Sequence, residues 1–446
     1  MEASAAHWKN LIGQLDNDMW GSAYKTIRRR IKRPTPFDQS NLTDVEATEI
    51  VHGLFPEHGK IKWEKKETDP PFNVPKITLE EVKMAARKIR IGKAPGPDGI
   101  PPILVRIFTD SNPKKVCDMF NKILMTGEYP TTWKKARLAL IPKPNKGKGR
   151  KFRPICMLNC ISKLFEHIIS ERILKKAQLS SSQFGFKRGW STTDALRRLR
   201  TVYDRFMQDT KHQKRILVAI GLDVKNAFNS VSWSDIIHSL ERRRIPQYLI
   251  ELLKSYLSER EISYGSQIFE VDSGVAQGSV LGPLLWNIVF DYIVRLKYDF
   301  DTDKIAYADD ILILLACSDR RELRISTKNV TTKHKEELSK LSLDLEINKT
   351  DAILVHGGRD DKNAKIIVVD TEVELANEMT YLGVSIDKDL KANSHVDYIC
   401  TKVTSVARRY RSILPNTRGP SFLKRLLLTT AVLSIVFYAL PFWYDA

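Results

Sequence analysis

Cysteine is scarce in this 446-residue chain. The five cysteines are an odd number and form no Cys-x-x-Cys pair; they are Cys117, Cys156, Cys160, Cys317 and Cys400. This usage indicates a reducing compartment and argues against a structural zinc site. The first 20 residues also lack a basic segment followed by an apolar one, so no secretory signal is predicted.

Long uncharged runs are scarce too. Residues 426–443 carry no charge and reach the length at which a membrane helix becomes conceivable. Thr429, Thr430, Ser434 and Pro441 weaken that interpretation because they interrupt the apolar character of the run. We therefore expect a buried or partner-facing helix here, and no membrane partner.

Acidic residues are fewer than basic ones. Lys and Arg number 72 and Asp and Glu number 53, which gives a net charge of 72 − 53 = +19. Such an excess favours a polyanionic partner, either nucleic acid or an anionic membrane surface. The length allows two or three domains, or one large multi-lobed domain, around a sizeable core.

Two adjacent acids, Asp309 and Asp310, interrupt the otherwise apolar run of residues 305–315. The run predicts a strand, a tight turn and a second strand, with the acidic pair at the hairpin tip. Carboxylates this close repel, so their pKa values should rise unless a cation neutralises them, and Mg²⁺ prefers such oxygen ligands. The pair therefore predicts a third carboxylate elsewhere in the chain.

Asp223 is the candidate for that third carboxylate, because it ends a buried-type strand over residues 215–222. Taken alone, an Asp at a strand end is more often a helix cap or a turn residue. Beside the two hairpin acids, a metal-ligand role becomes the favoured hypothesis.

Several other segments predict local structure. The polar, proline-rich residues 34–75 predict a loosely structured connector. Thr78 and Glu81 form a capping-box pattern that opens a helix, and Ser162 is predicted to cap another. Six of the residues 143–153 are Lys or Arg, in a loop that could grip a phosphate chain but that, as a lone feature, is typical of a solvated surface.

A set of motifs occurs in a fixed order over roughly residues 76–390 and resembles the reverse transcriptases of non-long-terminal-repeat (LINE-type) retrotransposons. The matching segments are Lys93-Ala-Pro-Gly-Pro-Asp-Gly99, Ile141-Pro-Lys143, Phe152-Arg-Pro-Ile155, Gln183-Phe-Gly-Phe186, Leu222-Asp-Val-Lys-Asn-Ala-Phe228, Ala276-Gln-Gly-Ser-Val-Leu-Gly-Pro-Leu284, Tyr307-Ala-Asp-Asp310, Lys349-Thr350 and Tyr381-Leu-Gly383. Trp190, Asn229, Ala276 and Glu346 depart from the usual residues of that family, and none of them is one of the three acids.

The resemblance implies an α+β fold of the right-hand polymerase type, with fingers, an antiparallel-sheet palm with helices on one face, and a helical thumb. Its domains would be an N-terminal helix and linker over residues 1–75, fingers and palm over 76–390 with core motifs at about 122–387, and the start of a helical thumb over 391–446. The thumb would be truncated, so we expect part of a longer polyprotein or a truncated copy.

The resemblance also implies which residues perform the chemistry. Asp223, Asp309 and Asp310 would be the catalytic acids and metal ligands, with Asp223 and Asp309 bridging two ions. Asp310 would ligate a metal or contribute only its charge. Lys349 would give a proton to the leaving pyrophosphate.

Further matching residues would bind the substrates. Lys143 and Arg153 would neutralise the triphosphate of the incoming nucleotide. Phe228 would be the gate that excludes a ribose 2′-hydroxyl, with a plain core aromatic as the alternative, and Gln277 would pack at the nucleotide pocket. The primer end would lie near Tyr381, Leu382 and Gly383.

The function implied is RNA-directed DNA polymerase activity that uses two Mg²⁺ ions, or Mn²⁺, and deoxynucleoside triphosphates. An RNA template and a DNA primer would be the partners, in target-primed reverse transcription. An endonuclease would come from the same polyprotein or in trans, and the location would be nuclear, or cytoplasmic as a ribonucleoprotein. Two alternatives are a catalytically silent remnant that binds nucleic acid, and an enzyme related by fold, such as an intron maturase.

Overall fold

Four antiparallel strands form the central sheet of the protein, in a computed structural model that describes residues 42–59, 61, 63, 74–143, 151–209, 216–358, 361, 364–413 and 422–444. The strands are β3 (Ile216–Leu222), β7 (Thr302–Tyr307), β8 (Asp310–Cys317) and β10 (Asp351–His356), in the order β10-β3-β8-β7. Leu222 pairs with Ile311 across β3 and β8, and Tyr307 pairs with Asp310 across the β7–β8 hairpin. This register brings the end of β3 and the hairpin tip to the same end of the sheet.

The central strands are almost wholly apolar because both faces of the sheet are covered. Val218 and Ile220 of β3 face a large core formed with helices, whereas Leu217 and Ala219 face a second core. The longer helices that contribute to the large core include α2 (Leu79–Lys88), α4 (Pro113–Thr126), α6 (Cys160–Leu174), α9 (Trp233–Arg242), α10 (Gln247–Leu257), α11 (Leu281–Val294) and α12 (Arg320–Ser339). The predicted α+β class is confirmed, but the expectation of helices on one face is incomplete.

The opposite face is covered by helix α7 (Thr192–Asp209) and by the hairpin of β13 (Glu378–Tyr381) and β14 (Val384–Asp387). Leu196, Leu199 and Phe206 of α7 lie in this second core at helical spacing. The chain continues in α13 (Asn393–Ile413), α14 (Phe422–Val436) and α15 (Leu440–Trp443), and Phe442 returns to the same core. Along the described ranges, every helix is either too short or too polar to cross a bilayer.

A second sheet lies beside the central one. Its strands are β1 (Lys135–Pro142), β2 (Phe152–Met157), β5 (Arg260–Tyr264) and β6 (Gln267–Val271), in the order β2-β1-β5-β6. Strands β1 and β2 are antiparallel, and β1 and β5 are parallel. The predicted basic loop of residues 143–153 joins β1 to β2, and its residues 144–150 lie outside the described residues.

Helix α1 (Asp44–Leu54) contradicts the prediction of a loosely structured connector over residues 34–75. Thr43 and Glu46 form a capping box at its start, and Val51 packs into the core of the second sheet. The helix forms because this cap satisfies the first backbone N–H groups and one face is buried. Residues 1–41, with which the predicted N-terminal helix and linker begin, lie outside the described residues.

Two further predictions concern helix starts. The capping box of Thr78 and Glu81 is present at the start of α2, as predicted. The cap predicted at Ser162 is wrong, because α6 begins at Cys160 after Asn159. Ser162 instead lies inside the helix with its side chain buried, and its hydroxyl donates to Glu166.

The remaining elements are short or connect the parts above. They are α3 (Pro102–Ser111), α5 (Thr131–Lys134), β4 (Val224–Lys225), α8 (Ala227–Ser230), β9 (Asp344–Leu345), β11 (Lys365–Val368) and β12 (Thr371–Glu374).

Candidate active site

The three predicted acids lie at the same end of the central sheet. Asp223 directly follows β3, and Asp309 and Asp310 form the tip of the β7–β8 hairpin together with Ala308. Since Leu222 and Ile311 are paired, Asp223 is placed next to the first residue of β8. The structure therefore brings together residues that are 86 and 87 positions apart in the sequence, since 309 − 223 = 86 and 310 − 223 = 87.

The hairpin carboxyls are electrostatically coupled. Burial raises the pKa of Asp309, the charge of Asp223 raises it further, and Lys143 and Arg153 oppose the shift. Desolvation by the surrounding protein, together with the charges of Asp309 and Asp223, raises the pKa of Asp310 to about 7, although its side chain keeps some contact with solvent. Like charges at close range disfavour ionisation in this way, and a cation would relieve the repulsion.

Lys349 compensates the charge of Asp223. Its Nζ donates to Asp223 Oδ2 at 2.7 Å. Burial alone would lower the pKa of Lys349, but the hydrogen bond and charge of Asp223 raise it above its ordinary value. The pair is held by the backbone, because the N–H of Glu346 donates to the Asp223 carbonyl and β9 pairs with β4.

The donor set suits a divalent metal ion in its chemistry, since three carboxylates converge on one sheet edge and two have raised pKa values. Within the described ranges, however, no three His, Cys, Asp or Glu side chains are arranged around a single ion position. In this arrangement Lys349 Nζ binds an oxygen of Asp223. Asp223, Asp309 and Asp310 are the residues that would hold the ion.

Two basic residues at the second sheet act electrostatically on the acidic site. Lys143 follows β1 and Arg153 lies in β2, on either side of the basic loop, and both are exposed. The N–H of Lys143 donates to the carbonyl of Lys151, which closes the base of this loop. The positive charges of both side chains lower the pKa of Asp309, so the two predicted triphosphate-binding residues lie within electrostatic range of that carboxyl.

Phe228 belongs to a row of aromatic rings that runs from the surface into the core. Its ring centroid lies 5.2 Å from that of Trp286, which stacks on Phe290 at 4.8 Å. On the other side, Phe186 meets Phe228 edge to face at 5.7 Å. Phe186 is 56 % exposed and has a φ of 54°, a strained backbone conformation for a bulky residue. Phe228 is half-buried, so its ring has one side fixed by the core and one side near solvent.

Gln277 lies on a loop that is bonded to its surroundings through the backbone. Its carbonyl accepts from the Cys156 N–H at 2.7 Å, and Val275 N–H donates to the Phe228 carbonyl at 2.7 Å. A Cβ at Gly278 would lie 2.3 Å from the Cys156 carbonyl oxygen, so this position requires glycine. The loop is thus connected to β2 on one side and to the predicted gate on the other.

The predicted primer-contact residues form the turn between β13 and β14. Tyr381 is buried, and its hydroxyl donates to the Ile305 carbonyl at 3.0 Å. Leu382 and Gly383 occupy the turn with positive φ values, and the Leu382 carbonyl accepts from the Tyr438 hydroxyl at 2.6 Å. Of the three residues, Gly383 is exposed and Leu382 is half-buried against the second core, whereas the ring of Tyr381 is buried and supports the central sheet.

Sequence reasoning missed the residues that hold the hairpin tip. The Gln183 amide accepts from the Ala308 N–H and donates to the Ala308 carbonyl, both at 3.2 Å, and Trp286 Nε1 donates to the same carbonyl. A Cβ on Gly185 would lie 2.1 Å from the Ala308 nitrogen. The signal available in the sequence was the glycine between two aromatic residues, which indicates a close backbone approach.

Comparison with known proteins gives a consistent result. The family model described as "Reverse transcriptase (RNA-dependent DNA polymerase)" matches residues 141–386, more than half of the chain. The retrovirus-related Pol polyprotein from type-1 retrotransposable element R1 of Bradysia coprophila is 24% identical over 444 residues, which cover 94% of this chain and 43% of that relative. The RNA-directed DNA polymerase from mobile element jockey of Drosophila melanogaster is 31% identical over 254 residues, which cover 53% of this chain and 27% of that relative.

Solved structures show a more distant likeness. Apo telomerase from Candida tropicalis has a TM-score of 0.43 and 15% sequence identity, over 75% of this chain and 63% of that chain. The chain spans less than half the length of the curated relatives named above.

Proposed function

The chain belongs to the reverse transcriptase (RNA-dependent DNA polymerase) family, and from this premise we propose that it extends a DNA primer on an RNA template. The predicted right-hand polymerase fold is confirmed by that membership and by the antiparallel central sheet. The observation that supports the proposal is that Asp223, Asp309 and Asp310 lie together at one end of the central sheet, where the charges of Lys143 and Arg153 act on Asp309.

The reaction is a nucleotidyl transfer. The primer 3′ oxygen loses its proton to solvent and forms a bond to the α-phosphorus of a deoxynucleoside triphosphate, while the bond from that phosphorus to the bridging oxygen breaks and pyrophosphate leaves. Reverse transcriptases use divalent metal ions, and here two Mg²⁺ ions, with Mn²⁺ as a substitute, would stabilise the attacking and leaving oxygens. Asp223 and Asp309 would hold both ions, and Asp310 would complete the acidic site.

The surrounding residues bind the nucleotide and neutralise the negative charge of its triphosphate. Arg153 and Lys143 neutralise the triphosphate, for which the planar guanidinium of Arg153 is well suited. Phe228 fills the space of a ribose 2′-hydroxyl, held from behind by Trp286. Lys349 donates a proton to the departing pyrophosphate once it has left Asp223, and its raised pKa keeps it protonated until then.

The template and primer bind through backbone contacts. A net charge of +19 favours binding of a polyanionic duplex. The turn of Leu382 and Gly383 lies near the primer end. The relatives are named as products of mobile elements, so we extend the proposal to target-primed reverse transcription of a non-LTR retrotransposon. An endonuclease from the same polyprotein or in trans would provide the nicked primer.

Primer extension tests this proposal. The purified chain is incubated with an RNA template, an annealed DNA primer, Mg²⁺ and the four deoxynucleotides, beside the variant Asp309→Asn. We expect extension by the parent and a loss of at least about a thousandfold in the variant, because metal-assisted charge stabilisation provides several kcal/mol of the rate.

Binding of the template serves as the control. Asp309→Asn should bind the RNA–DNA duplex as tightly as the parent, with the same decline in affinity as salt rises, because binding depends on the basic surface. Extension by the variant at the parent rate would remove Asp309 from the mechanism. A folded parent that binds the duplex without extending it would favour a catalytically silent nucleic-acid-binding remnant.

A further inference from the structure

A fully buried carboxylate lies outside the acidic site. Glu166 of α6 is 0 % exposed, and its Oε2 accepts from the backbone N–H groups of Val280 at 2.7 Å and Leu281 at 3.0 Å. Its Oε1 accepts from the Ser162 hydroxyl at 3.3 Å. The contacts to Val280 and Leu281 join residues 114 and 115 positions apart in the chain.

Glu166 acts as the cap of helix α11. Val280, the residue that precedes this helix, has no side-chain cap of its own. The first N–H groups of a helix need an acceptor, and a negative charge is favourable at this end of the helix dipole. Burial raises the pKa of Glu166, while the bonds from Leu281 and Val280 and the charge of Arg260 oppose the rise.

The capped end is continuous with the loop that carries Gln277. The Ser279 hydroxyl donates to the Ala276 carbonyl at 2.9 Å and accepts from the Gly282 N–H at 2.9 Å. This side chain closes the turn onto the first residues of α11, directly beside the N–H groups that Glu166 binds. The loop therefore has two anchors, one through Gln277 to β2 and one through Glu166 to α6.

The buried polar groups around Glu166 reinforce this anchor. Tyr256 and Tyr129 are buried beside Glu166. Burial is the main cause of the raised pKa of both hydroxyls, and the charge of Glu166 raises the pKa further. The guanidinium of Arg260 lies 4.6 Å from the Tyr256 ring centroid. A buried carboxylate is costly unless hydrogen bonds satisfy it, and here the satisfying donors belong to the start of α11.

We propose that Glu166 is a positioning residue for the nucleotide pocket: it fixes the loop of residues 276–282 so that Gln277 meets the incoming nucleotide. This inference rests on the proposed polymerase function, because only that function gives Gln277 a ligand. Glu166 does not touch the substrate, so its loss should weaken nucleotide binding more than the chemical step.

Asp291 provides a matched control. It is also a fully buried carboxylate, but it lies near the other end of α11 and accepts from the Ser180 N–H at 2.6 Å and from Arg243 at 2.8 Å. Asp291→Asn therefore removes a buried charge from α11, the helix that Glu166 caps, without contact to the loop. A general loss of stability would affect both variants alike.

Steady-state primer extension separates positioning from stability. For Glu166→Ala we expect KM for the deoxynucleotide to rise about tenfold with kcat within about twofold of the parent, because two hydrogen bonds to the loop anchor are lost. Glu166→Gln keeps an acceptor oxygen but loses the negative charge, so its KM should lie between those of the parent and the alanine variant; it also serves if the alanine variant does not fold. Asp291→Asn should leave KM unchanged. A parent-like KM in both Glu166 variants, or an equal rise in Asp291→Asn, would overturn the proposal.

Hydrogen exchange gives a readout that does not depend on activity. Amide exchange followed by mass spectrometry should show faster exchange over residues 276–282 in the Glu166 variants and parent-like exchange there in Asp291→Asn. Unchanged exchange in the Glu166 variants would refute the anchor itself. If the parent does not extend primers, the proposed function fails, and the exchange result still decides whether Glu166 holds the loop.

Discussion

A buried histidine in helix α12 is expected to make the stability of the protein depend on pH. His334 of α12 is 0 % exposed, and its Nδ1 lies 2.5 Å from the Tyr298 hydroxyl and 3.2 Å from the Val330 carbonyl. Lys304 and Lys333 lie over the Tyr298 ring, at 5.1 and 5.4 Å from its centroid. Burial, followed by the charge of Lys304, lowers the pKa of His334 to about 4.

The sign of the effect follows from proton binding in the two states. An unfolded histidine has a pKa of about 6.5, so below that pH the unfolded chain binds a proton that the folded chain rejects. The contribution of the neutral His334 side chain to stability is therefore retained above about pH 6.5 and is lost as the pH falls toward 4. Between pH 7 and pH 5 the loss from this one group is about 2 kcal/mol. Burial and Lys333 lower the pKa of Lys304 to about 8, so Lys304 stays protonated throughout this range.

Urea unfolding at pH 7 and pH 5 measures the effect. His334→Phe keeps a ring against Tyr298 but has no titrating group. From pH 7 to pH 5, the decrease in the free energy of unfolding should therefore be about 2 kcal/mol smaller in this variant than in the parent. Val330→Ala, on the same helix, should lower stability equally at both pH values and keep the pH dependence of the parent. Equal pH dependence in the parent and His334→Phe would refute the reasoning.

Two further substitutions test the site. Phe228→Ala should raise incorporation of ribonucleotides relative to deoxynucleotides by roughly tenfold or more, measured opposite the same template base; an active variant with an unchanged ratio would contradict the gate. Gly185→Ala places a Cβ 2.1 Å from the Ala308 nitrogen, so it should lower stability by about 1–3 kcal/mol and reduce extension. Gly53→Ala, which has open space around the new Cβ, is the control for Gly185, and equal behaviour of the two would count against the close approach.

The sequence was sufficient for features that are local or strongly periodic. The hairpin with Asp309 at its tip, the strand that ends at Asp223 and the capping box at Thr78 could each be predicted from a short window. The strand pattern made Asp223 a candidate partner of the two hairpin acids, and the family resemblance supported that grouping. The pairing itself could not be read from a local window, because β3 and β8 are separated by about 90 residues of chain.

The failures have physical reasons. Ser162 has the residue type of a cap, but its hydroxyl serves a buried carboxylate one helical turn later instead of a backbone N–H. The roles of Gln183 and Glu166 depend on side chains that bind the backbone of distant segments. Such contacts leave no period in the sequence, so neither residue could be distinguished from ordinary core or surface positions.

The pair of Lys349 and Asp223 connects the stability of the site to its chemistry. The backbone on both sides is fixed by the pairing of β4 with β9 and by the bond from Glu346 to the Asp223 carbonyl. The Lys349 side chain is nevertheless 51% exposed, so it can leave Asp223 by side-chain rotation alone. If Asp223 is a metal ligand, its charge must be compensated by the ion before the ammonium group is free to protonate pyrophosphate. In the proposed mechanism, the acidic site would therefore be filled first, and Lys349 would be released afterwards to act as the proton donor.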